Sequence, residues 1–92
     1  MSIQPAHRRF VRRIDDLINE SEKTQRQIAL ELGYDNQNII SMFKTGCTRV
    51  PLGKVPALAT ALGTDRRDLV LAWMQAYEPE MLAILRTVFE AE

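Results

Sequence analysis

Between residues 24 and 54 the chain reads TQRQIALELGYDNQNIISMFKTGCTRVPLGK, and it gathers there the side chains best suited to recognition by hydrogen bonding. Asn36, Gln37 and Ser41 lie in a run that is polar but barely charged. A side-chain amide presents a donor and an acceptor in one plane, which matches the edge of adenine in a DNA major groove, and an apolar Ile40 beside them offers contact to a thymine methyl. Lys44, Thr45, Thr48, Arg49 and Lys54 follow closely and supply donors and positive charge for an oxyanion such as a backbone phosphate. Two plainer readings stand beside these: a solvated helix face for the amides, since Asn also favours caps and turns, and a basic surface loop for the cations.

The residues that other chemistries need are missing or badly spaced. The single histidine, His7, falls near the N-terminus, where a surface role is expected, and neither a Ser/His/Asp nor a Cys/His set can be assembled around it. There is no glycine-rich phosphate loop and no cluster with metal-ligand spacing. Asp15 and Asp16 are neighbours on an expected helix, so their carboxylates diverge rather than converge for acid-base work. One cysteine, Cys47, rules out an internal disulfide framework and supplies too few ligands for structural zinc; its loop position permits a redox-sensing thiol. The expectation is a protein that is not an enzyme and has neither cofactor nor metal.

These residues need elements to position them. Ile28, Ala29 and Leu32 recur at helical spacing up to Gly33, which suits the left-handed end of a helix. Thr24 is placed to cap the start of that helix, and Asp35 to cap the next one. Ile39, Met42 and Phe43 predict the buried side of the second helix, which Gly46 ends, so Asn36, Gln37, Ile40, Ser41 and Lys44 are expected to face outward. Upstream, residues 1–5 read as a flexible arm, and Phe10, Val11, Ile14, Leu17 and Ile18 form one apolar stripe of a supporting helix whose arginines, Arg8, Arg9, Arg12 and Arg13, fall largely elsewhere. Downstream, Gly46 and Pro51 bracket a loop. Val55, Leu58, Ala59 and Leu62 predict a fourth helix, and Leu69, Val70, Trp73 and Tyr77 a fifth opened by Thr64 or Asp65. After Pro79 a last helix follows, apolar over more than half its circumference.

Ninety-two residues suit one domain with a modest core. No apolar run approaches the roughly 20 residues that span a bilayer, and residues 1–10 lack a signal peptide's hydrophobic centre, so a cytoplasmic location without membrane association is expected. The formal net charge is zero, yet the charge is polarised. Residues 1–54 hold nine Lys or Arg against six acidic residues, and residues 55–92 hold three against six. The basic half contains the helix pair.

With Thr24-Gln25, Ala29, Gly33, Ile39, Gly46, Pro51 and the later run Leu58-Ala59-Thr60-Ala61-Leu62-Gly63, residues 10–71 resemble the helix-turn-helix family of phage Cro and lambda-type repressors, the XRE family. The chain departs from the family pattern in carrying Phe43 where many members have an acidic residue, and in its interval from Phe43 to Gly46. The resemblance implies an all-α, compact five-helix DNA-binding domain, here covering residues 6–77, with residues 78–92 as an additional C-terminal helix. It implies that Ala29 and Gly33 serve the crossing and the turn of the helix pair, and that Gln25 clamps a backbone phosphate with Lys23 or Arg26 beside it.

The expected activity is therefore that of a sequence-specific transcriptional regulator, a repressor in particular, acting by occupancy of double-stranded DNA. One small domain cannot easily cover its last two helices. Trp73, Tyr77, Leu82, Leu85, Val88 and Phe89 are accordingly expected to form a twofold homodimer interface, which would set two reading helices about 34 Å apart on an inverted repeat. The alternative is a protein-interaction module, an antitoxin or adaptor, whose apolar C-terminal helices embrace another protein.

Overall fold

A computed structural model of the chain describes residues 5–89, which are all-helical. Its six α-helices are α1 (Pro5–Glu20), α2 (Gln25–Glu31), α3 (Asn38–Thr45), α4 (Val55–Leu62), α5 (Arg66–Tyr77) and α6 (Pro79–Phe89), with a 3-10 turn at Leu52–Lys54 leading into α4. Residues 1–4 of the expected arm lie outside the described residues, while Pro5 is already the first residue of α1. Proline suits that position because its missing N–H would have no helical partner there. No helix among the described residues is long and apolar enough to cross a membrane.

Local chemistry explains where the helices begin. Thr24 Oγ1 accepts from Gln27 N at 3.1 Å and Gln27 Oε1 accepts from Thr24 N at 2.7 Å, a reciprocal cap that satisfies two backbone donors at the start of α2. Asp65 Oδ1 accepts from Asp68 N at 2.9 Å and opens α5 with a one-way cap. The entry to α3 differs from the expectation: Asn36, not Asp35, supplies the oxygen, accepting from Asn38 N at 2.8 Å. Gly46 closes α3 with φ +78°, and a Cβ there would stand 3.2 Å from a Val11 methyl, so this position needs glycine for both conformation and space.

A single apolar cluster holds the helices together. Phe10, Ile14 and Ile18 come from one stripe of α1; Ile28 and Ala29 from α2; Val55, Leu58 and Ala59 from α4. Helix α1 packs on α3 and α5, α2 on α3 and α4, and α5 on α4 and α6. Each fully buried Ile, Leu or Phe contributes about 1.5–3 kcal/mol relative to an exposed one, so the seven largest such side chains, among them Phe43, Ile14 and Leu58, dominate the favourable side of folding. Trp73 belongs to this cluster, and its Nε1 donates to the Val50 carbonyl at 2.7 Å, fixing the loop after α3 to the middle of α5.

The register of α3 is a correction to the sequence reading. Ile40 is 0 % exposed and Phe43 1 %, whereas Met42 is 36 % exposed and Ile39 half-buried. Ile40 therefore faces the core and is not placed to meet a base. Consecutive isoleucines allow two inward stripes, 39/42/43 or 40/43, and packing of α3 against both α1 and α2 selects the second.

Candidate nucleic-acid interface

With Ile40 turned inward, the opposite side of α3 carries Asn38, Ser41, Met42 and Thr45, all exposed and spaced i, i+3, i+4 and i+7. Asn36 and Gln37 lie just ahead of it, also exposed. Lys44 is the one charged residue of this helix. The result is a stripe of amide, hydroxyl and thioether groups flanked by cations, which can donate and accept but imposes no strong charge of its own. Sequence reasoning missed Asn38 and Met42. Asn38 was signalled by the Asn-Gln-Asn run, whereas Met42 required the register.

The short pair α2 and α3 is tied across the stripe. Ser41 Oγ donates to Gln25 Oε1 at 2.7 Å, which joins a residue expected to read bases to one expected to hold a phosphate. That bond uses the Gln25 oxygen and leaves its NH2 group without a side-chain partner among the described residues, at the N-terminal end of α2, where unpaired backbone N–H groups and the helix dipole favour an anion.

The cations around this surface have internal partners to differing degrees. Lys23 Nζ stands 2.8 Å from Glu31 Oε1 in an exposed ion pair, and Lys44 Nζ stands 3.8 Å from Asp15 Oδ1. Exposed pairs of this kind contribute about 0–1 kcal/mol, so a phosphate can compete for either lysine. Arg26 is exposed and has no ion-pair partner among the described residues. Arg49 lies over the Tyr77 ring, 4.1 Å from its centroid. Thr45 is exposed, its hydroxyl donating to the Met42 carbonyl at 3.3 Å, and Thr48 is half-buried.

Lys54 departs from the expected phosphate group. Its Nζ donates to the Leu32 carbonyl at 2.7 Å and sits 5.0 Å from the Tyr34 ring centroid. The carbonyl end of α2 carries partial negative charge and unpaired acceptors, so the ammonium closes that end and is half-buried in doing so. Lys54 is thereby committed to the bend between α2 and α3.

The residues expected at a dimer interface divide as well. Trp73 and Leu82 are buried within the subunit, at 7 % and 4 % exposure, and so are not available to a partner. Trp73 is consumed by its bond to Val50, and Leu82 belongs to the same core as α5. Tyr77 is half-buried among His7, Phe10 and Trp73. Burial pushes its phenol above the ordinary value, an effect the nearby Arg49 charge partly opposes. Leu85 is half-buried, and Val88 and Phe89 are exposed. Met81 and Ile84, absent from the expected set, join them on the uncovered side of α6.

Cys47 is exposed, and among the described residues no group of acidic, histidine and cysteine side chains could hold a metal ion. The chain matches no protein-family model, no curated protein and no solved structure.

Proposed function

We propose that the chain is a sequence-specific DNA-binding regulator of the Cro and lambda-type repressor kind, with α2 and α3 as its helix-turn-helix and α3 as the helix that enters the major groove. The observation that carries this reading is the exposed, nearly uncharged stripe Asn38, Ser41, Met42 and Thr45, preceded by Asn36 and Gln37. Base edges are read by such groups at the N-terminal part of a recognition helix. Gln25, Lys23, Arg26 and Lys44 are the proposed phosphate contacts, with Arg49 and Thr48 on the following loop. Occupancy of an operator, with no chemical step, is the proposed mode of action.

The proposed active form is a homodimer through the uncovered side of α6, where Met81, Ile84 and Val88 follow one another at spacings of three and four residues. That is the spacing of a helix-pairing seam. Two copies related by a twofold axis would present two α3 helices to an inverted repeat.

Selection of bound sequences from a randomised duplex pool tests both parts at once. An enriched inverted repeat with half-sites one helical turn apart is the expected outcome. No retention of any duplex at low salt would remove DNA binding altogether, because even non-specific binding requires phosphate contacts.

A second reading, an antitoxin or adaptor that holds another protein, is favoured by the exposure of Phe89 at 74 % and Val88 at 64 %. It predicts a stable hetero-complex and no salt-dependent affinity for DNA.

A further inference from the structure

Away from the polar stripe, a half-open cavity of about 220 Å³ is lined by His7, Val11, Gly46, Arg49 and Tyr77. It lies where α1, the end of α3 and the end of α5 meet. Three of its five lining residues carry hydrogen-bond donors, and none is acidic. The guanidinium of Arg49 rests on the Tyr77 ring at 4.1 Å, and the His7 ring approaches the same ring at 4.6 Å. A guanidinium carries its N–H groups around its edge, where two of them can meet a planar oxyanion with parallel bonds. Neither Arg49, His7 nor the Tyr77 hydroxyl makes a side-chain hydrogen bond to another described residue.

The remaining walls are apolar. Val11 methyl groups face the bare Cα of Gly46 so closely that a Cβ there would meet them at 3.2 and 3.3 Å. A site lined by three donor-bearing side chains, none acidic, and by an apolar Val11 fits a ligand that is charged at one end only.

We infer that this cavity is a binding site for a small organic carboxylate, whose carboxylate is held by Arg49 with help from His7 and the Tyr77 hydroxyl, and whose apolar part lies against Val11. The inference does not rest on the DNA-binding reading, and its test contains no DNA.

The test uses the full chain, with benzoate and inorganic phosphate as probes and sodium chloride at matched ionic strength as the control. Amide resonances of Val11, Gly46 and Arg49 in two-dimensional NMR spectra, together with the emission of Trp73, report on the cavity. Saturable shifts with benzoate are expected, and Arg49→Gln should weaken binding by about tenfold or more through loss of a charge-assisted bidentate contact. Arg49 is exposed, so the variant should keep the wild-type helical circular dichroism. Tyr77→Phe should weaken benzoate by a smaller factor. Shifts that grow linearly without saturating, saturable binding unchanged in Arg49→Gln, or phosphate binding as tightly as benzoate would each overturn the inference.

Discussion

The α2–α3 pair and the α5–α6 pair are each two helices in sequence, yet they leave opposite kinds of surface uncovered. In the first pair Ile28, Ala29, Ile40 and Phe43 are all buried, and α3 leaves amides, hydroxyls and one thioether outside, while α2 exposes a single large apolar side chain, Leu30. In the second, Trp73, Met74 and Leu82 fill the core, and Met81, Ile84, Val88 and Phe89 stay exposed. A polar surface can remain hydrated at little cost until a specific polar partner arrives, whereas a contiguous apolar one is stabilised as soon as another apolar surface covers it. The contrast is what the proposed DNA surface and the proposed dimer seam rest on, and it can be broken at several points.

The largest effect is expected where the register of α3 decides which side is inside. Ile40→Ala should cost about 2–5 kcal/mol, as large-to-small core changes do, while Met42→Ala should stay within about 0.5 kcal/mol as a surface change. Urea unfolding midpoints compare the two directly; equal losses would mean that the inner and outer sides of α3 are wrongly assigned. Next comes the apolar end. Ile84→Glu with Val88→Glu should leave the helical content intact and weaken self-association by about 2–4 kcal/mol, the scale of interface hot spots. Sedimentation then shows a monomer for the variant against a dimer for the parent chain. A parent chain that stays monomeric at high concentration would remove the dimer from the proposal.

A smaller effect sharpens the polar end. Gln37→Ala should cost roughly 1–3 kcal/mol on the preferred duplex and relax preference at one base pair, whereas Lys23→Ala should weaken all duplexes alike. Gel-shift competition with single-base variants separates the two patterns, and unchanged preference in Gln37→Ala would take that residue out of the reading surface. The smallest effect concerns Tyr77 and the junction between the regions. Its pKa in the folded chain is raised above the ordinary 10.0, so the neutral phenol is the form that folding favours. Its contribution is fully present below about pH 10 and is lost as pH rises through the folded value. Tyr77→Phe should therefore flatten the fall of stability in that alkaline window, read from urea midpoints at successive pH values.

Much of the fold follows from local chemistry, and that part was legible. Thr24 and Asp65 announce helix starts because each can reach a backbone N–H three residues on, and Gly46 announces a helix end because its φ is positive. The register of α3 was not legible, because Ile39 and Ile40 both complete an apolar stripe and only the placement of α1 and α2 chooses between them. Nor were the pairings of the cations. Lys23 meets Glu31 across the length of α2, Lys44 meets Asp15 of α1, and Lys54 reaches a backbone carbonyl of Leu32 that no side-chain pattern advertises. Of the surface proposed to read DNA, the amide run including Asn38 was visible in the sequence, while Met42 emerged only once the inner face of α3 was known.

The position of Lys54 carries a chemical corollary. The chain has three lysines, and this is the one whose amine is held against a carbonyl oxygen, half-covered and beside an aromatic ring. Burial restricts a reagent's access to that nitrogen, so amine-directed acylating reagents should label the exposed Lys23 before it. Once acylated, Lys54 would no longer neutralise the carbonyl end of the helix it closes, and the two short helices would lose the clasp that sets their angle.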